Sequence, residues 1–350
     1  MNVTWIVIPG LLVLAVIAYA SNGSLGPQPD VALDRAMRAR TIDTLVTELN
    51  ERYVFPEKAK DVGIFLLQRQ RDGTYDRFNN GHALARQLTT DVRSVAKDLH
   101  MKVWYAPGVD LLGGADAPES LAQWERQNHF LLRPFLRHMA VRNKVRVGRI
   151  GANIGYLRVA GFPDAFLLTD KFAEAMNELA DTDGLILDLR RNSGGDPQAV
   201  VLLISYFVDR RSRLNDVWDR ATGITTPHWT HEKLDGKRYG SKKPVLILAG
   251  PETASAGEDF AYTMQALGRA TVVGEPTWGG AHPISMYRLS GDFYASIPVS
   301  RTISPITGSN WEGVGVTPDI VATPENALPV ATQLMRRRLN AAATLVATGH

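Results

Sequence analysis

The chain has 350 residues, 45% of them hydrophobic and 21% charged, enough for one large or two ordinary globular domains. The 39 basic and 36 acidic residues leave a net charge of +3, scattered apart from short clusters such as Arg336-Arg337-Arg338, so no nucleic-acid surface is indicated. There are no cysteines, which excludes disulfides, a Cys nucleophile, thiolate zinc sites and a lipidated N-terminal Cys.

Trp5 to Ala20 is an uncharged apolar run ending in Ala18-Tyr19-Ala20, a small-x-small pattern, before polar Ser21 to Ser24. It reads as a secretory signal peptide or, uncleaved, as a membrane anchor, although Pro9-Gly10 interrupts it and it is short for a full span. Either reading puts the body of the protein outside the cytoplasm, periplasmic or secreted. Membrane contact is then limited to that anchor.

After a linker over 21–33, helical spacing predicts an N-terminal helical domain over 34–105. Leu45, Leu49 and Tyr53 keep one face of a first helix (34–53). Val62, Phe65 and Leu66 do so for a second (58–71), and Leu84, Leu88, Val92 and Val95 for a third (82–99). Met101 to Tyr105 alternates like a strand. A Gly- and Asp-rich loop at 110–118 and a helix over 119–141, broken at Pro134, form a helical connector over 106–149.

From Ile150 the pattern becomes α/β. Strands are predicted at 154–159, 184–189, 245–248 and 270–273, and helices at 165–179, 197–208 and 256–267. A polar segment over 210–243 could cover a site. A hairpin turns around Ser290-Gly291-Asp292, and a C-terminal helix closes the chain over 324–350. Strands alternating with helices argue for a mostly parallel sheet with helical layers over 150–323.

The stretch richest in chemistry is Pro244 to Gly257. A buried strand leads through Gly250-Pro251 to Ser255 at the mouth of a helix. Unpaired N–H groups of a first helical turn can stabilise an oxyanion, so Ser255 is well sited as a nucleophile, with Ala256 as an oxyanion donor. A helix cap explains the same serine. Thr253-Ala254-Ser255-Ala256-Gly257 approaches the G-x-S-x-G elbow, with Thr for the first Gly. Asp188 to Asp196 ends another strand, and Gly194 and Gly195 can present further N–H donors or make a tight turn. Candidate bases are His100 and His282. Glu312 lies in a Gly-rich loop from which a carboxylate can orient a base. Glu258 is placed to support its own helix N-terminus. No H-x₃-H pair, dinucleotide fingerprint or P-loop is present, so no metal or other cofactor is expected.

Several separate motifs occur in an order that resembles the S41 serine peptidases, the family of tail-specific proteases and the tricorn core. The likeness is closest to the branch like interphotoreceptor retinoid-binding protein. The motifs are Asp98-Leu99-His100, Gly155-Tyr156-Leu157, Asp188-Leu189-Arg190 with Asn192-Ser193-Gly194-Gly195, Thr253 to Glu258, Val273 to Thr277, and Asn310 to Asp319. The resemblance implies a ClpP/crotonase-like core, Ser255 as nucleophile, His100 as base and Glu312 as orienting acid. It also implies an acyl-enzyme mechanism on an unstructured peptide or protein.

Two departures stand out. The lysine base of the tail-specific branch is replaced by Gly280, and the serine that precedes the tricorn histidine by Leu99. The interval from Tyr105 to Gly151 is too short for the PDZ module of tail-specific proteases. Two rival readings remain. One is a binder of apolar ligands on the same scaffold. The other is an esterase using Ser255 and His282, in which case His282 is essential; under the peptidase reading it is dispensable.

Overall fold

The structure, a computed structural model, describes residues 32–107, 111, 141–151 and 153–347. Trp5–Ala20 and nearly all of the helix expected over 119–141 lie outside the described residues. Among the described residues no helix is long and apolar enough to cross a membrane. The chain divides into two compact units.

One unit takes the described residues of 1–97 and 101–117, together with Ser285–Ile297. Its helices are α1 (Arg35–Arg52), α2 (Pro56–Arg71) and α3 (Gly81–Ala96). Local chemistry sets their starts. The Asp34 carboxylate accepts from the Met37 N–H at 2.6 Å, and Asn80 Oδ1 accepts from the Ala83 N–H at 2.7 Å. Pro56 opens α2, where its missing N–H costs nothing. Ile42, Leu45 and Leu49 are buried with Val62, Leu66, Leu84, Leu88 and Val92, on the stripes that the spacing predicts. Lys97 ends α3 in a left-handed cap with φ 56°. Strand β1 (Lys102–Tyr105) joins a three-stranded sheet in the order β1–β10–β9, where β9 is Ile284–Arg288 and β10 is Phe293–Pro298. Lys102 pairs with Ser296 and Tyr105 with Phe293. This pairing places most of the hairpin in the first unit, whereas its sequence position suggests the core over 150–323.

The other unit takes Asp98–His100 and the described residues of 118–284 and 298–350. Its six-stranded sheet runs in the order β12–β8–β7–β4–β3–β2. The strands are β2 (Val145–Ile150), β3 (Ile154–Val159), β4 (Gly184–Asp188), β7 (Val245–Ala249), β8 (Thr271–Gly274) and β12 (Ile320–Val321). All neighbours are parallel except β2, which is antiparallel to β3. The stretch expected as a helical connector therefore ends in a strand. Val145-Arg146 begins β2 with a buried residue followed by an exposed one, as a half-covered strand requires.

Every residue of β4 and β7 is buried, which accounts for their unbroken apolar runs. Leu187 and Ile247 pack with Phe172 of α4 (Ala165–Leu179), Leu203 of α5 (Pro197–Ser205) and Phe260 of α6 (Ala256–Ala266). Their neighbours Ile186 and Leu246 face the other way and pack with Ala331 and Met335 of α7 (Ala327–Ala347). The polar segment over 210–243 contributes β5 (Arg213–Asp219) and β6 (Thr225–Trp229) to a second three-stranded sheet, ordered β11–β5–β6, with β11 at Ser300–Ile303. Its polarity reflects the exposure of β6, four of whose five residues face solvent.

Candidate active site

The turn after β7 is closed by one hydroxyl. Thr253 Oγ1 accepts from the Gly250 N–H at 3.0 Å and donates to the Leu189 carbonyl at 2.8 Å, tying the ends of β7 and β4 together. Ser255 follows at the N-terminus of α6 with φ 51° and ψ −119°. Among the described residues only Lys97 is another non-glycine with positive φ. Such a conformation costs roughly 1–3 kcal/mol and persists only where the surroundings impose it.

Glu258, fully buried one turn into α6, supplies much of that constraint. Its carboxylate accepts four hydrogen bonds, from the Ser255 N–H (2.8 Å), the Thr277 hydroxyl (2.5 Å), the Gly279 N–H (2.6 Å) and the Gly280 N–H (3.0 Å). Burial pushes its carboxyl above the usual range, and those four donors pull it back.

The loop after β4 is bolted to the same turn. Asn192 is buried, donates through Nδ2 to the Val159 carbonyl (3.0 Å), and accepts the Ala254 N–H on its own carbonyl (2.9 Å). A Cβ at Gly257 would stand 2.7 Å from Asn192 Oδ1, so only glycine permits this approach. Asn192 Oδ1 also accepts the Gly194 N–H at 2.9 Å. Of the three N–H groups expected to face an oxyanion, that of Gly194 is therefore already engaged. No hydrogen bond among the described residues uses the N–H of Gly195 or Ala256, and both residues line the cavity in front of Ser255.

That cavity has a volume of about 190 Å³ and is also lined by His100, His282 and Trp311. His100 is set by an Asx turn in which its N–H donates to Asp98 Oδ1 at 3.0 Å. Its ring stands edge-on to Trp278, with centroids 5.0 Å apart and planes at 85°. The second oxygen of buried Asp98 accepts from His282 Nδ1 at 2.9 Å. His282 is buried too, and its Nδ1 lies 3.3 Å from Glu312 Oε2, which accepts the Ala281 N–H at 2.6 Å. Trp311 Nε1 donates to the Gly280 carbonyl at 2.8 Å, and Asn310 Oδ1 accepts the Glu312 N–H at 2.9 Å, which fixes the loop carrying Glu312. Ligand-type atoms of Asp98, His100 and Glu312 all lie within 4.8 Å of one another. Burial and the neighbouring Asp98 charge push the Glu312 carboxyl up to about 7, against the pull of His282 and the Ala281 N–H.

The structure thus brings His100 and Ser255 to one cavity and Glu312 beside His100. It adds two groups to which the sequence gives no role in a peptidase, Asp98 and His282. Asp98 has a legible signal, since Asp-x-His spacing suits an Asx turn. His282 has none, because its partners lie far along the chain.

Two stretches match models of one family. Residues 153–322 match Peptidase family S41, and residues 31–125 match the N-terminal domain of Peptidase S41 in eukaryotic IRBP. The chain belongs to peptidase family S41. Among curated relatives, the chloroplastic C-terminal processing peptidase of Tetradesmus obliquus is 29% identical over 180 residues, covering 51% of this chain and 37% of that protein. The carboxyl-terminal-processing protease of Synechocystis sp. is 28% identical over 199 residues, covering 56% of this chain and 44% of that one. The matches thus span less than half the length of these two relatives. The solved photosystem II D1 C-terminal processing protease shares the fold, with a TM-score of 0.51 at 18% identity over 83% of this chain and 94% of that one.

Proposed function

We propose that the chain is a serine peptidase that cleaves unstructured peptides or proteins through an acyl-enzyme on Ser255. The observation that carries this reading is the positive-φ turn at Ser255, facing a cavity shared with His100 and with the uncommitted N–H groups of Gly195 and Ala256. His100 takes the Ser255 hydroxyl proton as Oγ attacks the substrate carbonyl carbon. The N–H groups of Gly195 and Ala256 hold the resulting oxyanion; one such donor is worth about 3 kcal/mol in the transition state. Imidazolium His100 returns the proton to the leaving amine as the C–N bond breaks. Water activated by His100 then releases the acyl group. Glu312 orients the imidazole and stabilises its protonated form.

A smaller recess of about 50 Å³ shares Pro197, Asp259, Pro283 and Thr302 with the Ser255 cavity and is walled by Val200, Ile204, Leu214 and Val217. It has room for roughly three or four heavy atoms. A small aliphatic side chain on the residue supplying the attacked carbonyl fits it.

The test is digestion of a mixed peptide library, read by mass spectrometry, with Ser255→Ala and His100→Ala in parallel. Cleavage by the parent and by neither variant is the expected result. Cleavage that persists in Ser255→Ala overturns the assignment.

A further inference from the structure

We propose that Asp98, His100 and Glu312 form a binding site for a divalent cation of the zinc class, and that occupancy of this site switches the peptidase off. The three residues offer one imidazole nitrogen and two carboxylate oxygens, all within 4.8 Å of one another. Four-coordinate zinc, bound at about 2.0–2.1 Å, sets neighbouring donors about 3.4 Å apart, so the set has to contract by about 0.8 Å per donor at most. An imidazole with two carboxylates selects zinc and its neighbours over magnesium or calcium, which prefer oxygen alone. The sequence hides this set because its members come from two distant segments, around 98–100 and 312.

A second observation points to a cation. Glu312 Oε2 is bonded to the Ala281 N–H, but Oε1 is enclosed and accepts no hydrogen bond from any described residue. A carboxylate oxygen enclosed without a donor is costly, and an oxygen of buried Asp98 lies within 4.8 Å of the same carboxylate. A dication satisfies the oxygen and offsets the repulsion. The surroundings already hold the ligands in place. His282 Nδ1 donates to one Asp98 oxygen and the His100 N–H to the other, the kind of outer support that fixes ligand orientation around bound metals. The cavity in front of His100 gives access and leaves a coordination position open to water.

The inhibitory part of the proposal rests on the reading of His100 as the base, because a ligated imidazole nitrogen cannot accept the Ser255 proton. The binding part does not. The experiment is calorimetric titration of Zn²⁺ into the full chain and its Ser255→Ala variant, with Co²⁺ absorption spectra of the same samples. One-site binding in both is expected, with visible bands of an imidazole–carboxylate site. Glu312→Gln and Asp98→Asn should each weaken zinc binding by at least ~10-fold; circular dichroism checks that both fold, and the Ser255→Ala spectra stand even if one does not. Peptide cleavage by the parent should be lost with zinc and regained with EDTA. No binding, or binding that Glu312→Gln leaves unchanged, overturns the site. Zinc binding that depends on Glu312, in a chain that cleaves no peptide when metal-free, leaves the site standing and removes the peptidase reading. Cleavage unaffected by bound zinc overturns the switch.

Discussion

A Cβ placed on Gly280 would stand 2.5 Å from Cε1 of His100 and 2.4 Å from the Trp278 ring. Gly280 is the position where the tail-specific branch carries its lysine. The His100 imidazole fills the space through which such a side chain would leave the backbone, so a lysine at 280 and His100 in this position exclude each other. Gly280→Ala should lower kcat/KM at least ~10-fold by displacing His100, with the far-UV spectrum unchanged. Full activity in Gly280→Ala would mean that His100 is not the base.

Ser255 stores strain at φ 51° that glycine would not feel. Ser255→Ala and Ser255→Gly should both be inactive, yet differ in stability. Glycine relieves a conformational cost of roughly 1–3 kcal/mol and gives back about 0.5–1 kcal/mol of unfolded-state entropy. Ser255→Gly is therefore expected to be the more stable variant by about 1 kcal/mol in urea denaturation. Equal midpoints would show that the turn is unstrained.

Burial and the Asp98 charge push the Glu312 carboxyl up from an ordinary 4.5 to about 7 in the folded chain. The charged or titratable groups around it are Asp98, His282, His100 and Glu258. Because the folded value is raised, the native chain keeps a proton that the unfolded chain releases. The stabilisation this brings is complete below about pH 4.5 and is lost as pH rises through about 7. Glu312→Gln cannot ionise and its amide oxygen can still accept the Ala281 N–H. With EDTA present, its Tm should exceed that of the parent at pH 8, and the gap should close below pH 4.5. A variant less stable than the parent at pH 8 counts against the assignment.

The recess beside the cavity predicts a side-chain preference. Val217→Phe enlarges a side chain that lines this recess together with Leu214 and Pro283. Cleavage after valine or leucine should fall relative to cleavage after alanine, measured as a ratio of kcat/KM values within one peptide series. An unchanged ratio would place the specificity pocket elsewhere.

Much of the fold was legible because it rests on short-range patterns. The apolar runs of β4 and β7 and the helical stripes on Leu45, Leu49, Leu84 and Leu88 follow from periodicity alone. Ser255 stood out because a strand, a turn and a helix meet there within a dozen residues. His282 is not legible in the sequence, for the opposite reason. Its environment comes from Asp98 and Glu312, which no local pattern connects to it. Treating it as dispensable in a peptidase does not fit a buried ring bonded to a buried carboxylate. His282→Ala strips Asp98 of that donor and is expected to cost about 3 kcal/mol or more in stability and to lower activity. Unaltered thermal unfolding and turnover would show that His282 is dispensable. The engagement of Gly194 was likewise invisible, since a Gly-Gly pair marks a turn without saying which N–H the turn consumes.

The Asp98–His100 segment clusters with the unit that carries Ser255, although the chain on both sides of it clusters with the other. The S41 match begins only at residue 153. Under the proposed assignment, a gene fragment cut to that match would encode Ser255, Gly195, Ala256, His282 and Glu312 and would still lack His100, the proposed proton acceptor. On this reading the activity cannot be inherited as a transferable cassette. Any recombination joint between codons 100 and 153 that imports a foreign N-terminal half must also bring an Asp-x-His of its own, or the product lacks both the proposed base and the buried partner of His282.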